Sequence, residues 1–571
     1  MLTPDYFYGK SDKLIEMYQE LEDWIISDIA MRLIKSGEMS GTTDRELWKL
    51  QQMGLHHTEI VKRISQMTGK SRDEVRRLLR DSVMTSFSDD AEVLKRLGDI
   101  QTPLQNNAAI MAMNAEMMKT FGELNNLTRT TMLQTQRDLL NMLNEVDYRV
   151  ASGMQSYNSA ICEVLDRYAQ SGVVIDYPTG ARRSLEAAVR CCVVTSMNQT
   201  AAQVTNQYIV QKGIEYVLVS AHMGARHSKK FPDGIPSHDH WQGKVYKIVG
   251  SDKDTLNLLD ATGYTVDPKT GQGRVVDPLG LHGYNCRHSH KPWDKSLRNP
   301  YVDADGNPKI NVHESQELYE KQQQQRSMER AIRQTKRELL TKQAELSGIA
   351  ETDVKDMLQP QYDKLAYKLR IQNQQYKQFC ADNGLQTQAD RIKVAGFKRT
   401  QASKANGRAT AYSKAEYSEY KNNLGKNMVS KEEFLRIMND KSEKKLFKHY
   451  TDSVKNGDVS PLTDYDTYQK IATELREKCI GLKTSNGIEL KEISLHSIDR
   501  VIGSVEKRRS GATVDGIVEA LTSPDAKIMD PIYNKTKTKV SQKFIYKTTE
   551  VSVNPIDHIL IQANPHHRER E

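Results

Sequence analysis

The chain has few cysteines and no long apolar run. A membrane-spanning helix needs about 20 consecutive apolar residues, and since no stretch approaches that length, we expect no membrane partner. The first residues, MLTPDYFYGKSDK, lack the apolar core of a secretory signal, which argues against a secreted toxin. The six cysteines include no C-x-x-C pair, so we expect reduced thiols in a cytoplasm rather than a disulfide framework.

Positive charge is concentrated towards the C-terminal end. The net charge is +8 over 571 residues, and residues 396–571 hold 31 Lys and Arg against 24 Asp and Glu. A basic third of the chain favours a polyanionic partner, either RNA or DNA. A solvated surface of mixed charge is the alternative, because the excess is modest.

The length predicts several domains, about two to four, and the low apolar content favours long exposed helices. We expect a multidomain protein with a mainly α-helical N-terminal part, a small irregular α+β module, long polar helices and a small C-terminal α+β domain. The Lys-, Ser-, Asn- and Gly-rich composition of 396–430 is typical of a linker. The expected bounds are a helical region at 1–205, a His/Trp/Cys module at 206–300, extended polar helices at 301–395, the linker at 396–430, and a basic region at 431–571 with its core at about 481–567.

Helix and strand signals predict elements inside these regions. Thr58 and Ser71, each followed by acidic residues, are typical of helix starts. Polar helices are predicted over 314–346 and 360–383. β-branched runs predict a strand at IEYVLV (214–219) and adjacent strands at KFIYKTTEVSV and HILIQA near the end.

Two polar stretches rich in His, Gly and Trp stand out in the middle of the chain. They read SAHMGARHSKKFPDGIPSHDHWQGKVY and GLHGYNCRHSHKPW, and they hold seven of the fifteen histidines. Helix or strand periodicity does not produce this density of polar residues, so we expect a compact irregular module. Its principal residues are His222, Gly224, Arg226, His240, Trp241, Gly243, Lys244, Tyr246, Asn285, Cys286, Arg287 and His288.

Three interpretations fit this module. The preferred one is a hydrogen-bonded structural knot, with packed tryptophans, glycines at tight turns, and His and Arg side chains that satisfy buried carbonyls; it needs no metal and no cofactor. A mixed Cys/His zinc site is an alternative, although the spacing lacks a C-x-x-C or H-x₃-H pair. A nucleophilic Cys286 beside Arg287 is another. The zinc ligands would come from His222, His227, His238, His240, Cys286, His288 and His290.

The words A-H-x-G-A-R, H-W-Q-G-K-V-Y and G-Y-N-C-R-H together resemble the phage minor capsid protein 2 family, structural components of tailed-phage heads. The resemblance covers about residues 1–395 and includes QQRSMERAIRQTKREL. It implies a virion protein near the portal, present in the host cytoplasm during assembly, with portal and other capsid proteins as partners. It does not imply catalysis.

The C-terminal part carries a second resemblance. The words SLHSIDR (494–500), Arg508-Arg509 and IQANP (561–565) are similar to the barnase, EndoU, colicin and RelE-like nuclease superfamily, found as toxin domains and fused to phage head proteins. The resemblance implies a metal-independent endoribonuclease of the toxin or effector type. Its catalytic residues would be His496, Arg500, Arg508 and Arg509.

The residue types also suit RNA cleavage by themselves. Attack by the ribose 2′-hydroxyl needs a group that takes up a proton, which histidine does near neutral pH, and the charged phosphorane needs a cation such as arginine. His496 and Arg500 are four residues apart and share one face of a helix. The alternative is a purely structural head protein in which these residues pair on the helix of an inactive module that binds nucleic acid or the capsid.

Overall fold

The computed structural model describes residues 1–7, 9–36, 42–96, 98–177, 180–534 and 540–566. The chain divides into two units, Met1–Ala409 and Thr410–Glu571, which are described separately. Within the described residues, 15 α helices and 13 short strands make the fold mainly helical with several small sheets, which confirms the predicted fold class. No helix in these ranges is both long and apolar enough to cross a membrane.

The first unit begins with five helices and a short hairpin. They are α1 (Asp12–Ser36), α2 (Thr42–Lys95), α3 (Asn107–Ala151), α4 (Tyr157–Ser171), β1 (Val174–Asp176), β2 (Arg182–Ser184) and α5 (Leu185–Gln211). Helix α5 contacts α1, α2 and α3 and is buried on most of its surface. Its many Ala, Val, Thr and Ser side chains suit a helix that lies at the centre of a core.

Helix α2 runs without a break through both helix starts predicted inside it, and those two predictions are wrong. The Thr58 hydroxyl donates to the Gly54 carbonyl at 2.9 Å, and the Ser71 hydroxyl donates to the Thr68 carbonyl at 3.0 Å. A hydroxyl bonded to the preceding turn is compatible with a continuous helix, so neither side chain is available as a cap. The buried Val75 continues the apolar face beyond them.

The His/Trp/Cys module follows α5 as a set of short elements. They are β3 (Tyr216–Val219), α6 (His238–Trp241), β4 (Val245–Lys247), α7 (Leu258–Thr262), β5 (Tyr264–Val266), β6 (Gly273–Val275) and β7 (His290–Trp293). Strand β3 pairs antiparallel with β4 on one side and β7 on the other, which confirms the strand predicted at IEYVLV. Strands β5 and β6 form a separate hairpin.

Two long polar helices, α8 (Val312–Gly348) and α9 (Thr352–Asp382), pack against each other, which confirms the predicted pair. Helix α9 begins earlier than predicted, so that Pro360 lies inside it. Proline lacks an N–H group and usually starts or ends a helix. Here the buried Leu358 and Tyr362 on either side of it hold the helical course.

Much of the predicted linker, 396–430, is helical. Helix α10 spans Arg399–Leu424, and the division between the two units falls inside it, after Ala409. Five alanines lie at positions 402, 405, 409, 411 and 415. Alanine has the strongest intrinsic preference for helix, and here that preference outweighs the linker-like Lys, Ser, Asn and Gly content.

The second unit combines five helices with a six-stranded sheet. The elements are α11 (Lys431–Asn439), α12 (Lys441–Lys455), α13 (Tyr465–Cys479), β8 (Glu492–Ile493), α14 (Leu495–Ile502), α15 (Val514–Thr522), β9 (Lys527–Ile528), β10 (Ile532–Tyr533), β11 (Val540–Tyr546), β12 (Thr549–Asn554) and β13 (Ile559–Pro565). Strands β11, β12 and β13 form an antiparallel ladder. The pairing of β12 with β13 confirms the adjacent strands predicted near the end, but KFIYKTTEVSV is two strands rather than one, because a turn at Lys547 and Thr548 joins β11 to β12. Strand β8 joins β13 in parallel, and β9 and β10 both pair with β11. Helix α14 packs against β13.

Candidate functional site

Trp241 forms the centre of the His/Trp/Cys module and is only 1% exposed. Its indole Nε1 donates to the Ile235 carbonyl at 2.8 Å, and its own carbonyl accepts the Tyr246 hydroxyl at 2.7 Å. The rings of His238 and His288 lie 4.5 and 4.9 Å from the tryptophan ring, measured between centroids. One buried ring thus holds α6, β4 and the segment before β7 together, as a structural knot requires.

Two motif glycines occupy backbone conformations that other residues avoid. Gly224 has φ +70° and Gly243 has φ +71°, in the left-handed region. A Cβ on Gly243 would lie 3.1 Å from the Cβ of Ala221. The Gly224 N–H donates to the Ser315 hydroxyl at 3.0 Å, which connects the module to α8.

The motif cations Arg226 and Lys244 bind backbone oxygens. The Arg226 guanidinium donates to the carbonyls of Leu279 at 3.1 Å and Tyr284 at 2.5 Å. Lys244 Nζ donates to the His240 carbonyl at 2.8 Å. These side chains therefore stabilise irregular backbone, as the preferred interpretation of the motif expects.

Helix α5 positions the segment that carries the motif cysteine. The Asn198 side-chain amide donates to the carbonyls of Cys286 and His288, both at 2.9 Å. Asn285 has φ +54°, and its N–H donates to the Thr195 hydroxyl at 3.2 Å. The Cys-Arg-His segment is thus fixed by side chains of a buried helix.

Three of the seven candidate ligands converge, namely His238, Cys286 and His288, which we call the His/Cys trio. The Nδ1 atoms of the two histidines are 3.2 Å apart, and Cys286 Sγ lies 3.9 Å from His288 Nδ1. All three residues are buried, and their ligand atoms lie within 4.8 Å of one another. Burial lowers the pKa of His238 to about 3 and holds the pKa of His288 well below its ordinary value. Burial also raises the pKa of the Cys286 thiol, which disfavours a free nucleophilic thiolate.

The other four candidate ligands lie elsewhere in the module. His222 stacks on the histidine of the trio that precedes β7, with ring centroids 4.4 Å apart. His290 pairs instead with His282, at 2.7 Å between ring nitrogens. His227 bonds a carboxylate at 3.0 Å, and the His240 side chain is 46% exposed. Of the seven zinc ligands that the sequence offered, only the His/Cys trio therefore lies close enough together to share one ion.

A cavity of about 380 Å³ opens beside the trio, and His222, His238 and His288 contribute to its wall. Seven arginines, among them Arg226 and Arg287, and two glutamates complete its charged lining. The glutamates pair with three of these arginines, at 2.8, 3.2 and 3.7 Å. Such an excess of positive charge in a concave site attracts anions.

Asp499 on α14 is only 1% exposed and accepts hydrogen bonds from several polar side chains of the second unit. Its Oδ2 accepts from His449 Nε2 at 2.9 Å and from the Ser453 hydroxyl at 3.0 Å, and its Oδ1 accepts the Tyr468 hydroxyl at 2.8 Å. Burial alone would raise the pKa of Asp499, but hydrogen bonds from His449 and His496 lower it below its ordinary value. The buried carboxylate is therefore held in its charged form.

The predicted catalytic pair lies next to this carboxylate. His496 Nδ1 is 3.6 Å from Asp499 Oδ2, and Arg500 Nε donates to His496 Nε2 at 3.1 Å. Because Nε2 accepts, the proton of the neutral imidazole is on Nδ1 and faces the carboxylate. The His496 side chain is 42% exposed, so solvent and a ligand can reach it.

The two arginines of the basic turn have different surroundings. Arg509 Nη2 donates to the Asp458 carbonyl at 2.8 Å and to the Asp499 carbonyl at 3.4 Å, and its buried Nε has no partner among the described residues. Burial lowers the pKa of Arg509, and the nearby Arg500 lowers it further. Arg508 is exposed on the turn with φ +49°. We call His449, Tyr468, His496, Asp499, Arg500 and Arg509 the Asp499 cluster.

Sequence reasoning missed His449, Tyr468 and Asp499. His449 is 50 positions and Tyr468 is 31 positions from Asp499 along the chain, so no local pattern connects them. The available signal was the aspartate inside SLHSIDR, three positions after His496 and on the same side of the helix.

Comparison with known protein families gives one match. The model of the phage minor capsid protein 2 family matches residues 2–381, about two thirds of the chain. The chain belongs to the phage minor capsid protein 2 family. No curated protein and no solved structure matches it.

Membership of the phage minor capsid protein 2 family makes the chain a structural phage protein of the virion, associated with other phage capsid proteins. The family match lies within the first unit and includes the His/Trp/Cys module. It ends at residue 381, before the second unit begins at Thr410. The family match therefore carries no information on the chemistry of the second unit.

Proposed function

We propose that the protein is a minor component of the phage head near the portal, and that its second unit is a metal-independent endoribonuclease of the toxin or effector type. The family match over residues 2–381 supports the first half of this proposal. The second half is carried by the Asp499 cluster, in which one buried carboxylate orients two histidines beside two arginines. Host cytoplasm is the proposed location during assembly.

His496 is the proposed general base. With its proton on Nδ1, facing Asp499, its Nε2 carries the lone pair that can take the proton from a ribose 2′-hydroxyl. In the structure, the Nε–H of Arg500 donates a hydrogen bond to that lone pair. We expect Arg500 to turn onto the phosphate when RNA binds, which frees Nε2 for the hydroxyl.

His449 is the proposed general acid. The 2′-oxygen forms a bond to phosphorus while the bond to the 5′-oxygen breaks, and that leaving oxygen needs a proton. His449 Nε2 donates to Asp499, so the acid must be the imidazolium form, whose Nδ1–H gives its proton to the leaving oxygen. Its side chain is 27% exposed, and it shares the carboxylate with the proposed base.

Arg500 and Arg509 are the proposed stabilisers of the phosphorane. Both guanidiniums lie beside α14, and the buried Nε of Arg509 is a donor without a partner among the described residues. A preorganised cation that faces developing negative charge lowers the barrier without further reorganisation. A phosphate contact by the exposed Arg508 stays a prediction.

RNA cleavage by the full-length protein tests this half of the proposal. Purified protein is incubated with end-labelled single-stranded RNA in EDTA, and the rate is compared with those of His496→Ala and His449→Ala. Because a positioned acid or base contributes about 10²–10⁴-fold in rate, each variant should be slower by that order. His313→Ala is the matched control, since His313 is 81% exposed on α8.

Three outcomes would count against the proposed metal-independent enzyme. If folded wild-type protein leaves the labelled RNA intact, the second unit is an inactive module and its basic charge serves nucleic-acid or capsid contact alone. If EDTA abolishes cleavage, the metal-free mechanism is wrong although a nuclease remains. Equal rates in wild type and His496→Ala would assign any activity to a contaminant or to another site.

A further inference from the structure

Hydrogen bonds fix the protons of both histidines in the His/Cys trio. His238 Nε2 lies 2.7 Å from the Leu279 carbonyl, which can only accept, so this Nε2 carries the proton. His288 Nε2 lies 3.1 Å from Gln242 Oε1. That oxygen also accepts the backbone N–H of His222 at 2.9 Å, which identifies it as the oxygen of the amide. The Nε2 of His288 therefore carries a proton as well.

Both Nδ1 atoms must then present lone pairs, because a neutral imidazole carries one proton. The two lone pairs face each other at 3.2 Å, and the Sγ of Cys286 lies beside them. A zinc ion that all three donors coordinate removes this repulsion, and the Cys286 thiolate offsets one of the two positive charges that the ion brings into the buried site.

We propose that His238 Nδ1, Cys286 Sγ and His288 Nδ1 bind one zinc ion. Zinc–nitrogen bonds of about 2.0–2.1 Å and a zinc–sulfur bond of about 2.3 Å, in a tetrahedron, place two nitrogens about 3.3 Å apart and sulfur about 3.6 Å from nitrogen. The observed separations are 3.2 Å between the two Nδ1 atoms and 3.9 Å between Cys286 Sγ and His288 Nδ1, and all ligand atoms of the trio lie within 4.8 Å of one another. A thiolate with two imidazoles suits zinc and excludes the hard cations magnesium and calcium.

The surroundings of the trio also match a metal site. Histidines that bind a metal donate their other N–H to a carbonyl or a similar oxygen, which fixes the ring orientation. His238 does so to Leu279, and His288 does so to Gln242. The ion would bind α6 to the segment before β7 and close the insert of about 50 residues between them.

Two of the zinc ligands, His238 and His288, stand in the wall of the arginine-rich cavity. Three protein ligands leave one position of a tetrahedral ion for a water molecule or an anion. The zinc site is independent of the proposed nuclease, because the trio lies in the first unit and the Asp499 cluster lies in the second.

Metal analysis of the full-length protein tests the proposal. The protein is stripped with a chelator, saturated with zinc or cobalt(II), freed of excess metal, and examined by elemental analysis and absorption. We expect about one zinc per chain and, with cobalt, a thiolate-to-metal charge-transfer band. Cys286→Ser and His288→Gln should lose this zinc. The matched controls, His240→Gln in the same module and Cys380→Ser in α9, should keep it.

A folded wild-type chain that retains no zinc would overturn the proposal, as would full retention by both Cys286→Ser and His288→Gln. If these variants fail to fold, X-ray absorption on the zinc-loaded wild type decides. One sulfur at about 2.3 Å and nitrogens at about 2.0–2.1 Å support the trio. A shell of oxygens without sulfur contradicts it.

Discussion

Replacing Asp499 with asparagine should destabilise the second unit without disturbing its geometry. The remaining side-chain oxygen can still accept from His449 and Ser453, and the new amide group can donate to the Tyr468 hydroxyl, which rotates to accept. The substitution therefore removes the charge of the side chain but keeps its size and shape. Hydrogen bonds to a charged group contribute about 1 kcal/mol more than neutral ones, so three weakened bonds give a loss of about 3 kcal/mol in the free energy of unfolding.

The same charge makes the stability depend on pH. The pKa of Asp499 is lower in the folded protein than its ordinary value, so its contribution is complete above about pH 4 and is lost as the pH falls below that value. Asp499→Asn lacks this contribution at every pH. Wild type and variant should thus differ by about 3 kcal/mol at pH 7 and progressively less below about pH 4.

Hydrogen exchange in urea, followed by mass spectrometry of peptides from α12 and α14, measures the opening free energy of this region in the full-length protein. Asp466→Asn is the matched control, because Asp466 is exposed on α13. A variant as stable as wild type at pH 7 would contradict a stabilising role for the Asp499 charge. So would a difference that stays constant down to pH 3.

Two further predictions concern the first unit. Trp241→Ala should lower the free energy of unfolding by about 3–5 kcal/mol. Trp241→Phe should lower it by about 1–3 kcal/mol, because the Ile235 carbonyl loses its donor. Thermal unfolding of both variants checks that the alanine variant is the less stable one, and an equal loss would contradict the role of the hydrogen bond. Burial raises the pKa of Asp23 to about 7, so its neutral form is favoured in the fold and stability is lost as the pH rises from about 4 through 7. Asp23→Asn, which mimics the neutral form, should therefore be about 4 kcal/mol more stable than wild type at pH 8 and no more stable at pH 4. Hydrogen exchange of α1 measures this difference, and equal protection at pH 8 would contradict it.

Local patterns in the sequence predicted local structure well. The pair His496 and Arg500 meets on α14 because a spacing of four residues fixes it. The strand at IEYVLV follows from a short run of apolar and β-branched residues, and the polar helices α8 and α9 were predicted from local composition and spacing. The capsid motif was recognisable because several short words occur together within one module.

Contacts between residues that are far apart along the chain could not be predicted from local sequence patterns. His449 meets Asp499 only because α12 packs beside α14, and His238 meets His288 only because α6 folds back towards β7. The sequence offered seven candidate zinc ligands with no spacing rule to choose among them. The helix starts predicted at Thr58 and Ser71 were wrong for a related reason. A hydroxyl that caps a helix and one that bonds to the preceding turn of a continuous helix cannot be distinguished in the sequence.

We propose that this member of the phage minor capsid protein 2 family is a minor component of the phage head that carries its second unit into the particle. Quantitative mass spectrometry of purified proheads and virions tests this proposal. We expect peptides from both units in equal amounts, at a copy number far below that of the main capsid protein. Absence of the protein from both particles would contradict the claim.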